Sequence, residues 1–155
     1  MTVQSGSEAA WLEQLVGQWD VAFDMESHPS WHEDVRSLGG GWILADMRGP
    51  VPGSDQNACM VMMLSYDPAK QRYVGSTAVS MMPNLWVYAG TLDESGNVLT
   101  LECEGPDLRD EGRTALYRDT ITIIDGDTRK FSSITQNADG SWKPVMSSVY
   151  KRLSS

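Results

Sequence analysis

The chain has little of the side-chain chemistry that most catalytic and metal sites rely on. Its 155 residues include two cysteines and two histidines. Cys59 and Cys103 stand in "NACMVMM" and "LECEGP", without the close spacing of metal ligands. They read as free structural thiols, with a disulfide as the alternative. His28 and His32 fall in "HPSWHED". On a helix that gap would put both imidazoles on one face and could hold zinc. On a strand it spans ~13 Å, too far to share an ion. The flanks read as a loop running into a strand, so no metal is expected. Neither histidine sits on a late strand where a haem ligand would be wanted, and no cofactor is expected. There is no G-x-S-x-G elbow, and both histidines share one connector, which argues against a Ser-His-Asp hydrolase. "GGGW" lacks the lysine and the strand-to-helix context of a phosphate loop. Gly39 to Gly41 are expected to form a bend or bulge between two strands.

Bases are also scarce. Twelve Lys and Arg face 21 Asp and Glu, for a net charge of −9. Nucleic-acid binding depends on neutralising phosphates, so this balance points away from it, and equally away from an anionic membrane surface. No apolar run approaches the ~20 residues of a membrane-spanning helix. The first 20 residues carry neither Lys nor Arg and no apolar signal core, so a secretory or transit segment is not expected and the cytoplasm is the default location. What remains is 41% apolar and 21% charged, the composition of a folded globular chain at the length of one domain.

The order of that single domain, residues 1–155, is legible. Residues 1–6 read as a frayed start. Residues 7–16 read as a short helix: Ser7 is the N-cap, Glu8 suits the first turn, and Trp11, Leu12, Leu15 and Val16 make an apolar stripe. Gly17 is placed as a left-handed helix stop. From Trp19 the period changes to two. Trp19, Val21, Phe23 and Met25 share one face of "WDVAFDME", and Asp20, Ala22, Asp24 and Glu26 share the other. Segments 31–38, 42–48, 57–66, 72–81, 85–92, 98–104, 115–124, 129–136 and 144–152 repeat the pattern, so that with 19–26 about ten strands are predicted. Turn residues separate them: Asp67-Pro68, Pro83-Asn84, Gly96-Asn97, Asp125-Gly126 and Asp139-Gly140. Short antiparallel strands joined by hairpins must manage their edges. Closure into an up-and-down β-barrel over residues 19–152 does so, with a two-sheet sandwich as the alternative. A barrel of eight to ten strands leaves room for one small ligand.

Gly17-x-Trp19 entering the first strand after a short helical lead resembles the signature of calycin (lipocalin-like) barrels. The resemblance implies that Trp19 packs across the closed end against a basic residue from near the end of the chain, Arg152 or Lys151 in "VYKRL". More of the sequence resembles one bacterial family of that superfamily, the domain-of-unknown-function family 1579: "LVGQWDV", "LGGGWILADMRG", "LSYDPAKQRYVGS", "SMMPNLWVYAGTLDESGNVLTLECEGP", "LYRDTITIIDGD" and "VYKR", in order along nearly the whole chain. The resemblance implies a barrel and no established activity. The family's Trp and Asp shortly before Ser-Met correspond here to Thr77 and Val79, so a site using that acid is absent or altered.

The richer signal is soft and apolar, with nine Met and six Trp. Met60, Met62 and Met63 cluster on one strand, and Met81 and Met82 lie at a hairpin. Met adapts to irregular volumes. Trp86 and Tyr88 share a strand face, as do Tyr73, Thr77 and Met81 on the strand before. Pointing inward, they make an aromatic wall with hydroxyl handles, the usual lining of a small-ligand pocket. Asp46 and Arg48 share a face, whereas Arg118 and Asp119 lie on opposite faces. Most such charges belong on a wet outer surface, and an inward Arg48 or Arg118 would be the anchor for a polar group. Three functions fit: a carrier or sensor of a small, largely apolar molecule; a cyclase- or isomerase-type enzyme using Tyr, Asp or Glu for proton transfer; or an interaction protein with a filled barrel. Whether the protein is an enzyme stays open. Trp31 and Trp142, near strand ends, are candidates for a homodimer face.

Overall fold

The alternation that starts near Gly17 produces ten antiparallel strands in a computed structural model that describes residues 7–154. The frayed start expected for residues 1–6 lies outside the described residues. The first five strands are β1 (Gly17–Phe23), β2 (Trp31–Gly39), β3 (Trp42–Pro50), β4 (Asn57–Asp67) and β5 (Arg72–Val79). They continue as β6 (Leu85–Leu92), β7 (Val98–Pro106), β8 (Thr114–Asp125), β9 (Thr128–Gln136) and β10 (Trp142–Ser154). Each strand pairs with its sequence neighbours, and β1 closes on β10. The sheet is a closed up-and-down barrel, and among the described residues no strand edge is left open.

The segment before the barrel is shorter than one continuous helix. Residues Ser7–Trp11 form α1, and Leu12–Leu15 tighten into a 3₁₀ turn. Val16 is already extended, so the helix stops one residue before Gly17. Gly17 instead opens β1 with a φ of 136°, which suits a residue without Cβ. Leu12 and Leu15 are buried against the barrel. The Tyr73 hydroxyl donates to the Glu8 carbonyl at 2.6 Å, and Trp11 Nε1 donates to the Gly96 carbonyl at 2.6 Å. The lead segment therefore lies over the end of the barrel that carries the β4–β5 and β6–β7 turns.

Register follows the turns. Gly39, Gly40 and Gly41 all have positive φ and make the bend between β2 and β3, where the pairing slips between Ser37 and Gly39. Gly96 and Gly140 adopt φ of 78° and 90° in their turns, and Asp93 and Asp139 accept hydrogen bonds from the backbone of those turns. Gly126 does not need positive φ; there the Asp125 carboxylate accepts from the Asp127 amide at 2.8 Å.

Candidate functional site: a half-filled barrel

The two ends of the barrel differ. At the end covered by α1, Trp19 is 1% exposed. Its indole N–H donates to the Leu15 carbonyl at 2.9 Å. Arg152 stacks over the ring at 4.3 Å and donates to the carbonyls of Val16 and Gln14, at 2.6 and 2.9 Å. Lys151 instead faces out, reaching Thr128. The basic partner implied by the resemblance is thus Arg152, which joins the last strand to the carbonyls left free by the 3₁₀ turn.

A second arginine lies on this plug. Arg129 on β9 is 4% exposed, with its guanidinium 4.5 Å from the Trp19 ring and 4.0 Å from the Tyr150 ring. It forms an ion pair with buried Glu33 of β2. Among the described residues its Nε has no hydrogen-bond partner. Two aromatic faces and a carboxylate hold this cation in the floor of the lumen, where burial would otherwise be costly.

Above the floor the barrel is open. A cavity of about 360 Å³ runs from Leu15, Ile43 and Leu64 up to a mouth formed by Phe23, Met25, His28, Val51, Met81, Met82 and Leu108. The filled-barrel expectation does not survive this cavity. Met60, Met62 and Met47 line one wall, and Trp86, Tyr88 and Tyr117 line another. The indoles at the mouth lie over glycines. A Cβ on Gly105 would fall 2.2 Å from Trp86, and one on Gly49 would fall 2.2 Å from Trp31. These strands therefore need glycine where a ring is laid flat against the wall.

Polar groups on this wall meet at mid-depth. Thr77 pairs with Trp86 across β5 and β6, and Tyr88 lies one inward position deeper. The Tyr88 hydroxyl and Thr77 Oγ1 are in hydrogen-bond contact at 2.9 Å, and with the Tyr88 proton directed at Asp119 it is Thr77 that donates in this pair. Asp119 of β8 enters the lumen between Tyr117 and Ile121, opposite Ser133 of β9. Burial drives the Asp119 carboxyl up to about 6, opposed by hydrogen bonds from Ser133 and Tyr88. The same desolvation pushes the Tyr88 hydroxyl far above its ordinary value, with the Asp119 charge adding to it. It also raises the Cys103 thiol to about 12, where it is inert. Cys59 lies on the outer face, and both cysteines are free.

Of the residues expected to line a pocket, Thr77, Met81, Trp86 and Tyr88 border the cavity. Tyr73 points inward but sits at the packed end, 1% exposed under α1. Arg48 and Arg118 do not border the cavity. Both lie on the outer face, Arg48 pairing with Asp46 and Arg118 with Glu102, each at 3.1 Å. Trp142 covers Arg118 at 4.2 Å. Trp31 is buried at the mouth, so it is not an exposed dimer-face residue. His28 stacks on Phe23 at the rim, 4.2 Å between centroids, while His32 is on β2 opposite Arg48. Among the described residues no group of three or more His, Cys, Asp or Glu side chains could hold a metal ion.

The inward residues that sequence reading missed are Glu33, Asp119, Arg129 and Ser133. The signal was present in the alternation. Glu33 sits in phase with Trp31 and Val35, Asp119 with Tyr117 and Ile121, and Arg129 with Phe131. A charge in the apolar phase of a half-buried strand is a charge inside the barrel.

The fold and site define a small closed barrel with a sealed floor and an open, mainly apolar lumen. The chain matches the family described as "Protein of unknown function (DUF1579)" over residues 4–152 and belongs to it. No curated protein sequence matches the chain. Among solved structures it is similar to the S-type phycobiliprotein lyase CPES from Guillardia theta, at 17% identity and a TM-score of 0.52, with 97% of this chain and 99% of that one covered. It is also similar to a redesigned beta barrel, at 15% identity and a TM-score of 0.42, with 96% and 98% covered. These likenesses concern the fold. Among the described residues, no helix is long and apolar enough to cross a membrane.

Proposed function

We propose that this protein binds a small, largely apolar molecule in the barrel lumen, as a carrier or sensor. The observation that carries the reading is the cavity itself: about 360 Å³, open at one end, walled by methionine and aromatic side chains, with a few polar groups converging at mid-depth. That volume falls within the ~300–1,000 Å³ of small-ligand pockets. Thr77, Met81, Trp86 and Tyr88 form the proposed wall, and the anchoring role moves from Arg48 and Arg118 to the interior group around Asp119. Membership in the calycin superfamily is part of this reading, supported by the Trp19–Arg152 stack and by the barrel shared with the phycobiliprotein lyase.

The test is a titration with N-phenyl-1-naphthylamine, a neutral dye that fluoresces in apolar surroundings. The wild-type protein should bind it at one site. Trp86→Ala should weaken binding at least tenfold while the melting transition stays cooperative. Equal binding by the variant would remove the wall from the site. Native mass spectrometry of the freshly purified protein looks for the natural occupant.

One observation supports a second reading, as an isomerase-type enzyme. Asp119, held near 6 beside Tyr88, could exchange a proton with a bound substrate. Incubation with the co-purified molecule separates the two readings, because a carrier returns it unchanged.

A further inference from the structure

The charges that border the cavity do not cancel. Among the described residues lining it, Glu33, Asp119 and Arg129 are the Asp, Glu, Lys and Arg side chains. Glu33 and Arg129 neutralise each other at the floor. Among the described residues Asp119 has no cationic partner. It lies opposite Ser133 on β9 and lines the same cavity as Tyr88, and its strand neighbour Arg118 points to the opposite face and is taken by Glu102. The lumen of the ionised protein therefore carries one negative charge that no group among the described residues balances.

The surroundings of Asp119 also suit a cation. Trp86 and Tyr117 stand toward the mouth from it, in edge contact at 5.0 Å between centroids. Their ring faces attract positive charge without repelling an apolar body. The net charge of −9 favours the approach of a cation over that of an anion.

We propose that the occupant of this lumen is a cationic amphiphile, a protonated amine on a compact apolar body, with its nitrogen on Asp119 and its body among Met60, Met62 and Trp86. This assignment rests on the lumen-binding reading and adds the ligand's charge to it. The carboxylate supplies the acceptor, Tyr88 and Ser133 hold it in place, and the methionine wall takes the hydrocarbon. An anionic ligand of the same shape meets an unbalanced carboxylate at the depth where its own head group must rest. Arg129 offers it little relief, because that guanidinium is already paired with Glu33 and covered by Trp19 and Tyr150.

The test displaces N-phenyl-1-naphthylamine from the intact protein with decylamine, decanol and decanoate, equal in chain length and different in charge. At pH 7.5 decylamine should displace the dye at a concentration at least tenfold below that of decanoate, with decanol between them. Asp119→Asn should reduce the advantage of decylamine over decanol to less than twofold. In the wild-type protein the advantage should also shrink as pH falls through 6, since a protonated Asp119 carries no charge. The other titratable groups facing this part of the lumen, among the described residues, are Tyr88 on β6, Cys103 on β7, Tyr117 on β8, Tyr150 on β10, Glu33 on β2 and Arg129 on β9, with His28 at the mouth. Asp119→Asn must abolish the pH dependence for it to belong to Asp119. Decanoate binding as tightly as decylamine, or an amine preference that survives Asp119→Asn, would overturn the assignment and leave lumen binding standing. Failure of the dye itself to bind would overturn both.

Discussion

The two ends of one barrel show what the same alternating sequence can build. At the floor, Trp19 is clamped between Arg129 and Arg152, and Leu12, Leu15, Leu99 and Leu101 belong to the same buried core. At the mouth, equally regular strands enclose a cavity. Strand pairing is continuous at both ends, so hydrogen bonding does not make the difference. The floor receives an extra layer from outside the sheet, the α1 and 3₁₀ segment, whereas among the described residues the mouth receives none. A sheet of ten strands is too wide for its own side chains to fill everywhere. Where nothing is supplied from outside, a cavity remains.

The contrast can be broken most severely at the floor. Trp19→Ala should cost about 3–5 kcal/mol in urea denaturation, because it empties a packed site and leaves both guanidinium stacks without their ring. A loss under about 1 kcal/mol would mean that the floor is not a plug. Glu33→Ala comes next, at about 3 kcal/mol, because Arg129 would remain buried without its counter-charge. Replacing both partners with methionine should recover most of that loss, since it removes the stranded charge as well.

At mid-depth the sign reverses. The folded protein holds the Asp119 proton up to about pH 6, against 3.8 for an ordinary aspartate. Between those values the folded state binds more protons than the unfolded one, so the Asp119 contribution to stability falls as pH rises through that window. Asp119→Asn should therefore stabilise the empty protein by about 2–3 kcal/mol at pH 7 and lose that gain below about pH 4. Denaturation midpoints of both proteins across pH 3.5–8 check this. A destabilised variant at pH 7 would show that the carboxylate supports the fold. The smallest effect belongs to the outer face. Arg48→Ala and Arg118→Ala should each change stability by less than about 0.5 kcal/mol and leave dye binding as it was, because each removes one solvent-exposed pair.

Much of the architecture is legible along the chain because it depends on local rules. Period-two alternation gives the ten strands, and turn residues such as Gly96 and Gly140 give the hairpins that order them into a meander. Boundaries are less legible. The face that starts at Trp19 ends at Phe23, not at Met25, because the chain leaves the sheet for the mouth. Gly17 stands at a strand start, not at a helix stop, because a 3₁₀ turn ended the helix earlier. Of the candidate wall, Thr77, Trp86 and Tyr88 meet as expected from their parity. Tyr73 has the right parity but the wrong depth, and sequence alternation carries no information about depth. Asp119 and Glu33 were visible as charges out of phase with their neighbours. Arg48 and Arg118 would serve as anchors only by facing inward, and their phase puts them outside.

The sequence by itself determined the secondary structure, the hairpin order and which residues face inward, because each follows from a period or a turn within a few residues. Tertiary structure decided which inward charges meet, which end of the barrel is sealed and where space is left. Arg129 finds Glu33, and Asp119 stays without a cation, only once barrel closure brings β1 and β10 together and fixes the stagger of all ten strands. That geometry belongs to the closed sheet as a whole, and no single stretch of the chain contains it.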